Sequence, residues 1–140
     1  MNPAVLDASV ALKWVLVEPL SDEALAIRDA FLGGHLNLIA PDVFLPEVAN
    51  ALARSHRRGI IPEPISPYGE LLAMGLRLFP TPPLVERALE IATSHRIGVY
   101  DCIYVALAER EGCDLITADD RLVRNLAPTF PFVVALDSFP

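Results

Sequence analysis

Ala4-Val5-Leu6-Asp7-Ala8-Ser9-Val10 opens on three apolar residues, the length of a short buried strand, and then presents a carboxylate and, two positions on, a hydroxyl. The figure recurs at Leu115-Ile116-Thr117-Ala118-Asp119, with the hydroxyl now two residues before the acid. Between them, Leu36–Ala40 and Ile97–Val99 read as further apolar strands, each followed by a helix with an acid in its early turns, Glu47 and Asp101. A helix returning from a parallel strand starts at the strand's carboxyl end, so all four acids face one crevice. Four carboxylates there would repel one another unless a hard divalent cation, Mg²⁺ or Mn²⁺, lay among them. Asp7, Glu47, Asp101 and Asp119 are therefore read as the metal-binding and catalytic groups of a nuclease-like site.

The remaining elements alternate. Val10–Val17 reads as a short helix stopped by Pro19, with Trp14 in the core, and Ser21-Asp22-Glu23 starts a helix that Gly33-Gly34 ends. After Leu36–Ala40 a helix carries Val43, Glu47, Val48 and Leu52 toward Arg54, His56, Arg57 and Arg58. Residues Pro62–Pro83 hold six of the 13 prolines, leaving room for a helix over Tyr68–Leu76 and a short strand over Leu76–Phe79. Helices follow over Leu84–His95 and over Tyr100–Glu111 to a Gly112 cap, then a strand at Asp114–Thr117, a helix at Arg121–Leu126 and a strand at Phe132–Leu136. This alternation predicts a three-layer α/β/α fold with a mainly parallel central sheet. At 140 residues, without repeat or linker, the expectation is one domain over residues 1–140.

Composition narrows the function. A net charge of −7 argues against a protein that coats nucleic acid non-specifically, so any nucleic acid has to be gripped locally. No apolar run reaches the roughly 20 residues of a membrane span, and the start lacks the basic residues of a secretory signal; a cytoplasmic location is expected. Cys102 and Cys113 are too few and too far apart for a disulfide framework or zinc knuckle. The three histidines show no paired ligand spacing and join no Ser-His-Asp or Cys-His motif, and Gly33-Gly34 lacks the lysine and hydroxyl of a phosphate loop. A phosphatase nucleophile at Asp7 would want an aspartate two residues on, where Ser9 stands.

Each acid alone has an ordinary use, Asp7 or Asp119 as a helix cap and Glu47 or Asp101 as a partner of a helix dipole. Capping does not require four acids to converge. Ser9 and Thr117 each put a hydroxyl near an acid, Asn50 shares the helical face of Glu47, and Asp120 is a cap or supporting group that could replace Asp119 as ligand.

Taken in order, Val5-Leu6-Asp7-Ala8-Ser9 with Ala11-Leu12-Lys13-Trp14, Pro46-Glu47-Val48-Ala49-Asn50-Ala51-Leu52, Tyr100-Asp101-Cys102-Ile103-Tyr104-Val105-Ala106-Leu107-Ala108 and Leu115-Ile116-Thr117-Ala118-Asp119 closely resemble the PIN-domain ribonucleases of the VapC toxin family. The resemblance spans nearly the whole chain apart from Pro62–Pro83. It implies that Asp7, Glu47, Asp101 and Asp119 correspond to the family's acidic quartet and Ser9, Asn50 and Thr117 to its supporting polar positions; Cys102 stands where the family more often has a small residue. It also implies an RNA substrate, a small VapB-like antitoxin covering the acidic groove, operator DNA bound only through that antitoxin, and a homodimer. Arg54, His56, Arg57 and Arg58, with Arg121 and Arg124 near Asp119, offer positive charge for RNA, although solvated helix ends use the same residues. Ala24–Phe31 and Leu71–Leu78 are candidate contact surfaces or simply core. The alternative to an enzyme is a catalytically weak PIN-like module acting through protein contacts.

Overall fold

The computed structural model describes residues 3–139. Five short strands, β1 (Pro3–Leu6), β2 (Asn37–Pro41), β3 (Arg77–Phe79), β4 (Asp114–Thr117) and β5 (Val133–Ala135), form one sheet in the order β3-β2-β1-β4-β5, with every neighbouring pair parallel. Parallel strands are covered on both faces, and Val5, Leu6, Leu38, Ile39, Leu115 and Ile116 are accordingly almost wholly buried. Val5 is the hub, opposite Ile39 on one side and Leu115 on the other.

The helices are α1 (Ala8–Ala11), α2 (Ser21–Leu32), α3 (Phe44–Arg57), α4 (Ile65–Ala73), α5 (Val85–His95), α6 (Val99–Glu111) and α7 (Asp120–Leu126). Right-handed crossovers put the helices between β1 and β3 on one face of the sheet and those between β3 and β5 on the other, giving the expected α/β/α layering. Residues Cys102 to Ala108 are all buried because α6 is sandwiched between α5 and strands β1, β2 and β4. Among the described residues no helix is long and apolar enough to cross a membrane.

Three elements depart from the sequence reading. Ile97–Val99 is not a strand: α5 ends at His95, Arg96 turns the chain in the left-handed region at φ 56°, and α6 begins at Val99, so two helices meet directly. The helix expected over Val10–Val17 is shorter. α1 tightens into a 3₁₀ turn at Leu12–Trp14, and the buried Trp14 ring donates from Nε1 to the Ala24 carbonyl at 2.8 Å, tying the turn to α2. The helix expected over Tyr68–Leu76 starts earlier, at Ile65, because the Glu63 carboxylate accepts from the backbone N–H groups of Ile65 at 2.7 Å and Ser66 at 3.1 Å. Ala24 and Ile27 of the first candidate contact surface are core, whereas Leu72 of the second is exposed.

Candidate functional site

The carboxyl ends of the parallel strands bring the four acids to one edge. Asp7 directly follows β1, Asp119 follows β4, Glu47 lies in the first turn of α3 after β2, and Asp101 lies in the first turn of α6. Asp101 arrives there from a helix turn, since the strand expected before it is absent.

Asp7 is the buried centre. Its Oδ2 accepts from Ser9 Oγ at 2.7 Å and from Thr117 Oγ1 at 2.8 Å. Each hydroxyl is itself held by a backbone donor: Ala118 N–H donates to Ser9 Oγ and Asp119 N–H to Thr117 Oγ1, both at 3.0 Å. The hydroxyl protons are thereby committed to Asp7. Thr117 serves the distant acid rather than Asp119, its sequence neighbour. Burial pushes the Asp7 carboxyl above its ordinary range and the nearby Asp119 adds to this, while the two hydroxyls pull it back.

The other acids are less enclosed. Burial raises Glu47 to about 7, with Asp7 and Asp101 adding repulsion, and raises Asp101 to about 6, with Asp7 and Asp119 adding repulsion and Arg121 offsetting part of it. Asp119 does cap a helix: one oxygen accepts from the N–H groups of Arg121 at 3.0 Å and Leu122 at 3.2 Å. Asp120 is exposed in the first turn of α7.

Glu47 Oε1 is buried with no hydrogen-bond partner among the described residues, and so is the hydroxyl of Tyr104. The phenol lies near enough to favour the charged form of Glu47, which it does by facing it as a donor, but stops short of hydrogen-bond geometry. Tyr104 had no assigned role in the sequence reading. Its spacing from Asp101, three residues along α6, was the available signal.

Beside the acids, Val43, Pro46, Glu47, Asn50 and Tyr100 line a groove of about 470 Å³. Asn50 thus shares a surface with Glu47, and Tyr100, 64% exposed, forms a wall not foreseen from sequence. Arg121 is exposed and electrostatically coupled to Asp101. Arg54, Arg57 and Arg58 are exposed but lie seven to eleven residues beyond Glu47, roughly 10–16 Å along the α3 axis.

The donor set is all oxygen, and the orphaned Glu47 Oε1 beside mutually repelling carboxylates is what a hard cation would relieve. As the side chains stand, no three Asp, Glu, His or Cys groups among the described residues come close enough to enclose one ion. The residues fit a divalent ion in the chemistry of their donors, while the acids stand further apart than one ion would hold them.

Comparison with known proteins follows the same outline. The PIN domain family model matches residues 4–126. Ribonuclease VapC12 of Mycobacterium tuberculosis is 35% identical over 123 residues, covering 86% of this chain and 90% of its own. The crystal structure of PAE2754 from Pyrobaculum aerophilum superimposes with a TM-score of 0.73 at 20% identity, over 97% of this chain and 85% of that one. The toxin-antitoxin complex from Klebsiella pneumoniae contains a chain matching with a TM-score of 0.65 at 15% identity, over 95% of this chain and 97% of that one.

Proposed function

Because this chain belongs to the PIN-domain family, we propose that it is a VapC-like toxin, an endoribonuclease dependent on Mg²⁺ or Mn²⁺ and held in check by a VapB-like antitoxin. The observation that carries the reading is the buried, unpartnered Glu47 Oε1 facing the electrostatic field of Asp7 and Asp101. Asp7, Glu47, Asp101 and Asp119 would hold the ion. A bound divalent ion lowers the pKa of water and offsets phosphodiester charge, so no side-chain nucleophile is required.

The chain's own groups divide the remaining work. Ser9 and Thr117 fix the Asp7 carboxylate and keep it an acceptor. Asp119 gives one oxygen to the α7 cap, leaving its second for the site. Arg121, coupled to Asp101, offers positive charge where a phosphate would approach. The groove walled by Pro46, Asn50 and Tyr100 offers a strand of RNA a path past Glu47. Arg54, Arg57 and Arg58 would reach only phosphates several nucleotides away. The ribonuclease from Mycobacterium supports the nuclease part of this reading, and the toxin-antitoxin complex from Klebsiella supports the antitoxin part. A homodimer, operator binding through the antitoxin, a single functional domain and a cytoplasmic location belong to the same proposal.

The second reading, a catalytically weak interaction module, is favoured by the spread of the acids as they stand. Incubating structured RNA with Mg²⁺ or Mn²⁺ separates the two. Cleavage by the wild type and its loss by a factor of about 100 or more in Asp7→Asn and Asp101→Asn is the expected result. Equal cleavage by all three proteins would refute this site, and no cleavage of any RNA would favour the module.

A further inference from the structure

Tyr104 is wholly buried, yet its hydroxyl has no hydrogen-bond partner among the described residues. A phenylalanine would fill the same volume without desolvating an oxygen, so the hydroxyl is kept at a cost that core packing does not explain. The second orphan is Glu47 Oε1, in the first turn of α3, whose carboxylate the phenol faces. A phenol carries one O–H and keeps its proton at neutral pH. It is therefore a donor and can serve one acid at a time. Asp7 Oδ2 already takes both nearby hydroxyls, from Ser9 and Thr117. Among the described residues, the buried acid oxygen left without a donor is the one Tyr104 faces.

We infer that Tyr104 is a positioning residue whose O–H closes on Glu47 Oε1 when the acids gather round a divalent ion, fixing the Glu47 carboxylate for coordination. The inference rests on the metal-site reading above. Glu47 is carried on a different helix from the Asp7 hydroxyl network, with an open groove at its side. Without an anchoring donor it is free to swing outward, and a carboxylate ligand of this kind depends on an outer hydrogen bond for its orientation.

The test is Tyr104→Phe, measured first by Mn²⁺ titration in a calorimeter and by melting in EDTA, with RNA cleavage as a later readout. A merely structural hydroxyl would lower the melting temperature and leave Mn²⁺ affinity unchanged. The positioning role predicts the opposite: a melting temperature in EDTA equal to or above the wild type, and Mn²⁺ binding weakened by about tenfold. On a Glu47→Gln background, Tyr104→Phe should weaken Mn²⁺ binding no further. Unchanged Mn²⁺ affinity in Tyr104→Phe, with the wild type binding the ion, overturns the inference alone. A wild type that binds no Mn²⁺ overturns both the metal reading and the inference.

Discussion

Replacing Thr117 by valine removes one oxygen from the floor of the site and keeps the side chain's volume and β-branch, so no cavity complicates the reading. Thr117 is 1% exposed. Its hydroxyl donates to Asp7 Oδ2 at 2.8 Å and accepts the Asp119 N–H at 3.0 Å. A hydrogen bond to a charged group contributes roughly 1.5–3 kcal/mol, and a partly buried N–H left unpaired costs about 1 kcal/mol. Thr117→Val should therefore destabilise the metal-free chain by about 3 kcal/mol, or on the order of 10 °C in melting temperature for a chain of this length. Urea unfolding in EDTA measures it directly. The difference from wild type should shrink as pH falls through the range in which the Asp7 carboxyl, raised by burial, takes up its proton, because the hydroxyl favours the ionised Asp7 and loses that advantage once the carboxyl is protonated. A destabilisation under 0.5 kcal/mol at every pH would mean that the hydroxyl bridge between β4 and β1 does not hold Asp7.

The acids also set a pH profile for the metal-free chain. Glu47 and Asp101 keep their protons up to about 7 and about 6 when folded, against 4.5 and 3.8 ordinarily. Between those limits the folded state binds more protons than the unfolded, so stability is full below about pH 4 and falls as pH rises to about 7, by on the order of 2 kcal/mol once solvent screening of these half-exposed groups is allowed for. Melting curves from pH 4 to 8 in EDTA check this, and millimolar Mg²⁺ should restore stability at pH 8 more than at pH 5; a flat profile, or a melting temperature at pH 8 indifferent to Mg²⁺, would contradict it. Arg96 is exposed and sits in the left-handed region at the end of α5, so Arg96→Gly should raise stability by about 1 kcal/mol in urea unfolding, and a loss of stability would show that the Arg96 side chain holds the turn.

What the sequence disclosed was whatever is encoded locally. The apolar triplets of β1 and β4 and the acids that end them need only their neighbours to be recognised, and the parallel arrangement follows from the alternation of strands and helices. The turn at Arg96 was missed for a related reason: an arginine with φ of 56° carries no glycine to announce it, and Ile97-Gly98-Val99 imitates the apolar triplets around it. The basic end of α3 was legible as a cluster, but its distance from Glu47 depends on a helix running unbroken to Arg57.

The least legible feature is the one that organises the site. Sequence spacing assigns Ser9 to Asp7 and Thr117 to Asp119, a hydroxyl for each acid. Instead the Thr117 hydroxyl reaches across 110 residues of chain to join that of Ser9 on Asp7, while Asp119 contributes its backbone N–H to the bridge and one carboxylate oxygen to a helix cap. Pairing β1 with β4 in register, Leu6 against Ile116, is what sets Thr117 beside Asp7. Asp7 is thus anchored by two hydroxyls, whereas Glu47 and Asp101 stand on two separate helices and Glu47 Oε1 has no hydrogen-bond partner among the described residues. Glu47 and Asp101 are shifted first by burial and then by repulsion from the neighbouring acids, yet the carboxylates stand too far apart to enclose an ion; on the proposed metal reading, closing that gap would fall to the cation, and the unpartnered hydroxyl of Tyr104 would hold Glu47 once it closed.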